Sequence, residues 1–543
     1  DWKTEKGYVV HKEVVTTGTN VDGLVQTMYD ENNNILFVLL VGDWADVKCA
    51  NSGGTPSDPV TGCVVGNDDY FDICIGRFAA NSADQVAIQV DKVINYEKEP
   101  DMGESWYEVS TGVASNQGPG DDNEIDYEHI DVIFDDKLDP FTYADHNGIY
   151  DPTGSSAMVT AALETGTGII NYTGHGSSTS WGSSGFNNSH IANLTNGSKL
   201  PFIFSVACVN GAYHSTFCFA EAWLNQEGGG AVGAVMSTIN QPWDPPMRGQ
   251  DYFNDMIVGG YNYDEHPGQN GISTTEGRHS FGSIVFNGLV LMITESPGDL
   301  ETANTWILFG DPAMQVRTAT PSNLTYSNNV TLVGTPFETT VNKDGAPMEG
   351  AMVALTQGDE TVSAVSDASG FVSIANEFLP GDVQIVITGF NTETVYETIQ
   401  CIPPTGPYVI FDSYELNDPN GNNNGILEYF DGEVTLDFSM KNVGVENSVN
   451  VDVTISSDDP YITITDNNEN FGTINAGESV SVADAFAFEV AGDVPEGHSI
   501  VFNVVADAEE TWESVYSIMA YSALLEYDSF VIDDSNGNNN GIL

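Results

Sequence analysis

Two short stretches carry residue types suited to nucleophilic chemistry. Tyr172-Thr-Gly-His-Gly176 sets a histidine between two glycines, and Phe204-Ser-Val-Ala-Cys208-Val-Asn-Gly211 sets a cysteine after an apolar run. A thiol attacks as its thiolate, so a cysteine nucleophile needs a base, and histidine is the usual one. Glycine on both sides leaves the His175 imidazole accessible and lets backbone N–H groups approach a ligand. The N–H groups of Gly176 and Cys208 could then form an oxyanion hole. Such a pair performs acyl transfer: the thiolate attacks a carbonyl, and water or an amine resolves the acyl-enzyme. Each residue alone has a simpler reading, an inert buried thiol or a structural histidine in a glycine turn. Their pairing is what points to catalysis. His190 and His214 also lie near, and His175 is preferred for its glycine-flanked strand end. Glu221 stands at a spacing that leaves two readings open, inward packing or a metal.

These residues need elements to hold them. Gly168–Thr173 and Pro201–Ala207 read as buried strands, continuous in apolar residues as strands covered on both faces are. The separation of 208 − 175 = 33 residues leaves room for one crossover between neighbouring parallel strands. Ile35–Val41, ending at Gly42-Asp43, reads as another buried parallel strand. Ala83–Glu99 carries Val86, Val90, Val93 and Ile94 at helical spacing. Residues 1–316 therefore read as alternating α and β, where sites form at the carboxyl ends of strands.

From Arg317 the texture changes. Residues 317–403 are rich in Thr, Val and Gly, with period-two alternation at Val353–Leu355 and Val383–Ile387, the pattern of a β-sandwich. Residues 404–527 read as a second sandwich, and its opening repeats. Asp418-Pro-Asn-Gly-Asn-Asn-Asn-Gly-Ile-Leu427 returns as Asp534-Ser-Asn-Gly-Asn-Asn-Asn-Gly-Ile-Leu543, an offset of 534 − 418 = 116 residues. Residues 528–543 thus read as the beginning of another copy, and the chain as a portion of something longer. Within the repeated loop Asn420, Asn422 and Asn424 alternate, followed by Gly425, Glu428 and Asp431. Oxygen ligands at alternate positions, a glycine and then carboxylates are the logic of a structural calcium loop. The alternative is a plain Asn/Gly turn joining two sandwiches.

Composition bounds the partners. The 543 residues carry 79 Asp+Glu against 14 Lys+Arg, a net charge of −65. At about 150 residues per domain this length suggests three or four domains. The charge argues against nucleic acid, whose phosphates need clustered Lys and Arg, and against anionic membrane surfaces. A hydrophobic content of 41% excludes a disordered acidic tail. No apolar run reaches the roughly 18 residues of a membrane span, so no membrane insertion is expected. Nothing calls for an organic cofactor. The start at Asp1-Trp2 without Met reads as a processed or incomplete N-terminus. The six cysteines include no CxxC pair and match no zinc site. Cys49 and Cys63 flank a Gly/Pro/Ser loop and could form a disulfide, as in an extracellular protein.

Several separated stretches together resemble the gingipain family of secreted cysteine peptidases. They are Asn171–Trp181, Leu200–Gly211, Cys218–Ala222, Ser237–Gln241 with Trp243 and Pro246–Gln250, and Phe309–Pro312, with Phe37–Asp43 and Gly66–Phe78 upstream. The resemblance spans about residues 1–402 and stops before the repeat. It implies a caspase-like α/β/α catalytic domain followed by immunoglobulin-like β-sandwich structure. It makes Cys208 the nucleophile and His175 the general base and acid. It puts Asp126 in the pocket that binds the guanidinium of an arginine before the scissile bond, Trp243 as an aromatic lid, and Met247 where lysine-specific relatives carry an acid. A carboxylate beside an aromatic wall suits arginine, through bidentate bonds and stacking; on composition alone Asp126 is one acid among 79. Protein or peptide substrates, a secreted or cell-surface location reached by type IX secretion, and anchoring through domains past Leu543 follow from the same resemblance.

Two departures accompany it. The family places an acid behind the catalytic histidine, where this chain has Gln117. An amide still accepts from the imidazole and fixes its tautomer but supplies no charge. The family's first strand, before the helix containing Trp2-Lys3, is missing. Two other readings stay open: a surface adhesin or scaffold carrying an inactive peptidase-like head, and a sortase-like transpeptidase using the same Cys-His pair.

Overall fold

The computed structural model describes residues 2–259, 278–403 and 405–522; the expected repeat start at 528–543 lies outside them. Eight strands form the central sheet: β1 (Phe37–Val41), β2 (Cys74–Phe78), β3 (Val109–Ala114), β4 (Asp145–Tyr150), β5 (Ile169–Thr173), β6 (Phe202–Val206), β7 (Gly233–Ser237) and β8 (Trp306–Phe309). They lie in the order β1-β2-β8-β7-β6-β5-β3-β4. Strands β3 to β7 are mutually parallel. β8 pairs antiparallel with β7 and parallel with β2, so the sheet reverses direction there.

Every residue of β5 and β6 is buried, because helices cover both faces of the sheet. Side chains alternate between the two cores, as a strand requires. Phe202, Phe204 and Val206 join Phe253 of α5 (Asp244–Val258) and Ile284 of α6 (Phe281–Glu295). Ile203 joins Leu163 of α3 (Ser156–Thr165) and Trp223 of α4 (Phe219–Asn225) on the other side. The expected helix after residue 83 is α1 (Ala83–Lys98), where Ser82 Oγ accepts from the Gln85 N–H at 3.3 Å as N-cap. Helix α2 (Asp126–Val132) begins at a residue expected in the specificity pocket.

Two expectations need correction. The apolar run at residues 35–41 does form a parallel strand, but at the edge of the sheet, where Val41 is 46% exposed. Apolar continuity reports burial only when both sides are covered, and β1 has one neighbour. Cys49 and Cys63 are free thiols. Cys49 is buried with its Sγ 3.7 Å from Tyr213 Oη, turned into the core rather than across the loop.

The N-terminal turn Trp2–Glu5 is held by one buried carboxylate near the end of α1. Glu97 accepts from Trp2 Nε1 at 2.8 Å, Lys3 Nζ at 2.7 Å and Lys6 Nζ at 2.6 Å. Its backbone carbonyl accepts from Arg317 Nη2 at 3.2 Å and from Thr394 Oγ1 at 2.6 Å. Thr394 belongs to the next unit, residues 324–402, in which two sheets enclose a core of Phe337, Val341, Leu355 and Ile385. Residues 409–521 form two further sheets around Phe438, Phe486, Phe502 and Ile518. Among the described residues no helix is long and apolar enough to cross a membrane.

Candidate active site

The site lies at the carboxyl ends of β3, β5 and β6. Thr173 pairs with Val206 in register, which brings the segments after β5 and β6 side by side. After β5 the chain passes Gly174 and His175 into a tight hairpin, Gly176–Ser177 against Ser180–Trp181. Tyr172 Oη donates to the His175 carbonyl at 2.6 Å, and the Gly182 N–H donates to the same carbonyl at 2.7 Å. This fixes the backbone that carries the imidazole. Glycine is required at 176 by close approach: a Cβ there would stand 2.8 Å from Ala207 Cβ and 2.9 Å from the Cys208 carbonyl.

After β6 the Ala207 N–H donates to Gln241 Oε1 at 3.0 Å, and Cys208 Sγ lies 3.9 Å from the Gln241 carbonyl. The next residue, Val209, has φ 51°. A β-branched residue in the left-handed region is strained, and such strain gathers where a side chain must be presented. Among the described residues no backbone carbonyl accepts from the Cys208 N–H.

His175, Cys208 and Asp126 line one cavity of about 260 Å³, with Gly174, Gln241, Trp243 and Met247 among its walls. The His175 and Trp243 rings meet edge to face, with centroids 5.3 Å apart. Gln117 Oε1 stands 3.0 Å from His175 Nε2. With the amide oxygen accepting there, Nε2 carries the proton and Nδ1 keeps its lone pair. His190 instead accepts from the Asn187 N–H through Nδ1, and neither it nor His214 lines the cavity.

Asp126 is fully buried at the start of α2. Its Oδ2 accepts from Ser115 Oγ, just past the end of β3, and its N–H donates to the Gln117 carbonyl at 2.9 Å. The acid and the amide behind His175 are therefore placed by one loop. Asp126 Oδ1 has no hydrogen-bond partner, nor has Trp243 Nε1. Burial pushes the Asp126 carboxyl up, against the Ser115 hydroxyl, the Trp243 indole and the imidazoles of His129 and His175, which favour its charge. A buried carboxylate oxygen without a partner, on the wall of an open cavity, invites a cationic group.

Glu221, named from the sequence, and three further acids near the cavity are put to other uses. Glu221 points inward and caps α4, accepting from the Cys218 N–H at 2.7 Å, and burial raises its carboxyl to about 7. Asp121, Asp122 and Asp251 gather ligand atoms within 4.8 Å of one another. Arg248 already pairs with Asp121 at 2.8 Å and Lys137 with Asp251 at 3.3 Å, so cationic side chains serve that cluster. The Asn-rich loop lies in the last described unit, away from this cavity.

One positioning residue went unassigned at the sequence level. Asn210 is fully buried and donates through Nδ2 to the Ser177 carbonyl at 2.6 Å and the Ser180 carbonyl at 3.1 Å. Its Oδ1 accepts from Ser205 Oγ at 3.0 Å, which accepts from Trp181 Nε1 at 3.0 Å. Asn210 thus ties the cysteine loop to the histidine hairpin. Its only signal was its place two residues after Cys208. Asn210→Ala is expected to slow alkylation of Cys208 about 10-fold or more, since misplacement by 1 Å costs up to about 100-fold. Rate measurements across pH, with folding checked by circular dichroism, decide this.

The model of peptidase family C25 matches residues 10–317. Gingipain R1 of Porphyromonas gingivalis is 34% identical over 425 residues, covering 75% of this chain and 41% of that protein. Gingipain R2 of the same organism is 34% identical over 421 residues, covering 74% of this chain and 55% of that protein. The chain thus spans roughly half the length of these curated relatives, between 41% and 55%. Among solved structures, the Arg-specific cysteine proteinase gingipain R superposes with a TM-score of 0.64 at 32% identity, covering 70% of this chain and 87% of that one.

Proposed function

The chain belongs to peptidase family C25, and from that membership and the cavity we propose that it is a cysteine endopeptidase cleaving after arginine. The observation that carries this reading is the joint lining of one cavity by Cys208, His175 and the buried Asp126. The arginine before the scissile bond enters beside Trp243, and its guanidinium donates to Asp126 Oδ1. His175 Nδ1 takes the Cys208 proton, and the thiolate attacks the carbonyl carbon. The Cys208 N–H, with that of Gly176, receives the oxyanion. His175 then returns the proton to the leaving amine, and a water molecule activated by the same imidazole hydrolyses the thioester.

A chain this poor in arginine offers few self-cleavage sites to such an enzyme, a scarcity that general acidic adaptation also produces. It has only four arginines, at 77, 248, 278 and 317. Arg77 is fully buried on Asp58, with Nη2–Oδ1 at 2.7 Å, Arg248 is paired with Asp299 at 2.6 Å, and Arg317 is buried. Immunoglobulin-like character of residues 317–403, secretion and cell-surface anchoring belong to the same reading, on the strength of the relatives.

Peptides with Arg, Lys or Leu before a fluorogenic group test it. Thiol-dependent cleavage of the arginyl peptide, lost in Cys208→Ala, is the expected result. No cleavage would favour the adhesin reading, and amide formation with an added amine at the expense of hydrolysis would favour transpeptidation.

The amide behind His175 gives a further prediction. Gln117→Glu puts a carboxylate on Nε2–H and stabilises imidazolium. It is expected to raise kcat/KM about 10-fold and move the alkaline limb of the pH profile upward. An unchanged or lower rate would mean that the amide is already the better partner.

A further inference from the structure

The loop at the head of the last described unit holds an electrostatic problem that its own side chains leave unsolved. Asp431 is fully buried and Asp418 is 1% exposed. Asp418 accepts from the N–H groups of Gly425 at 3.0 Å and Asn424 at 3.2 Å. Asp431 Oδ2 accepts from the Glu428 N–H at 2.7 Å, while Oδ1 has no partner. That oxygen points into the loop, where a Cβ on Gly421 would collide with it. Glu428 Oε2 takes the amides of Asn422 at 2.6 Å and Asn424 at 3.1 Å. Among the described residues, no Lys, Arg or His pairs with any of the three carboxylates. A buried carboxylate with a free oxygen and no counter-charge is costly, and a cation removes the cost.

We propose that Asp418, Glu428 and Asp431 bind one calcium ion, completed by amide or backbone oxygens of the asparagine run. The donors are all oxygen and several are neutral, which suits calcium's flexible coordination shell better than the tight octahedron of magnesium. The structure changes the ligand set read from the sequence. Asp418 and the buried Asp431 become the anchors, and Asn420 turns its Nδ2 to the Glu433 carbonyl at 3.1 Å. The tightest carboxylate cluster among the described residues lies elsewhere, at Asp121, Asp122 and Asp251. Calcium must therefore draw the loop inward and release Glu428 from the asparagine amides. The ion acts on a joint of the fold: Leu427 and Glu428 pair in parallel with Ala520 and Tyr521, at the end of the last described strand. The sequence around Asp418 returns at Asp534–Leu543, where Asp534 corresponds to Asp418.

The test uses the full 543-residue chain, as Cys208→Ala to prevent self-cleavage, titrated calorimetrically with calcium chloride and melted in calcium, magnesium or EGTA. The parent is expected to bind one more ion than Asp431→Asn, with a Kd of about 0.1–1 mM, the range of extracellular modules. In EGTA Asp431→Asn should unfold at the same or a higher temperature than the parent, because it removes a buried charge. In calcium it should unfold at a lower one, because only the parent gains from the ion. Glu428→Gln, at a half-buried position, should weaken binding at least 10-fold without this crossover in EGTA. Equal stoichiometry in parent and Asp431→Asn, or the same difference in unfolding temperature in calcium and EGTA, overturns the proposal in favour of a plain turn.

Discussion

Asp126→Asn is expected to lower kcat/KM for arginyl peptides by some 30- to 5000-fold, the equivalent of about 2–5 kcal/mol for truncating one partner of a buried charge pair. Cleavage of a leucyl peptide should change far less. Asn keeps the shape and can still accept from Ser115, so the variant removes charge while the loop that also places Gln117 stays in position. The pH dependence follows from the same carboxyl. Burial raises it, and arginine binds only its ionised form. Arginyl kcat/KM should therefore fall on acidification from above the ordinary carboxylate range, and that limb should vanish in Asp126→Asn. Equal losses for arginyl and leucyl peptides would mean that Asp126 supports the fold of the loop and does not read the substrate.

Glu97→Gln is expected to destabilise the protein by about 3–5 kcal/mol, the cost of leaving buried charge uncompensated. Lys6 has a side chain 7% exposed and loses its counter-ion, while Lys3 retains Asp311 at 2.8 Å. Burial works against the Glu97 charge, but Lys3 and Lys6 outweigh it and hold the carboxyl below its ordinary range. A carboxyl lowered in the folded state stabilises above its unfolded pKa of about 4.3 and loses that contribution as pH falls toward the folded value. The difference between parent and Glu97→Gln should thus be full at neutral pH and shrink below about pH 4. Urea unfolding at several pH values, on the Cys208→Ala background, measures it. A difference independent of pH would point to packing alone.

The sequence singled out His175 and Cys208 because their signal is local. β5 and β6 are buried from end to end, being covered on both faces, and each leads within two residues to His175 or Cys208. The signal fails where meaning depends on distant partners. Asp126 looks like any acid until α2 folds it under Trp243 and Met247. Gln241 and Asn210 lay inside motifs already singled out, but hydrogen bonds to Ala207 and to the His175 hairpin give them their roles. The apolar run of β1 could not announce that one of its sides lacks a neighbour, nor could the spacing of Cys49 and Cys63 show that Cys49 faces Tyr213. In the asparagine-rich loop the regular asparagines drew attention, whereas the buried carboxylates of Asp418 and Asp431 stand at its two ends.

Covalent labelling with an arginyl chloromethyl ketone, followed by peptide mass mapping, tests the central claim most directly. The reagent must enter the Asp126 pocket and then alkylate the thiol that His175 activates. The other five cysteines are poor competitors. Burial raises the thiols of Cys63 and Cys74 to about 12 and that of Cys401 to about 11, and it pushes those of Cys49 and Cys218 higher. The account predicts one adduct per chain, on Cys208, formed much more slowly in His175→Ala and in Asp126→Asn. Absence of an adduct on the folded chain, or an adduct on any other cysteine, would contradict it.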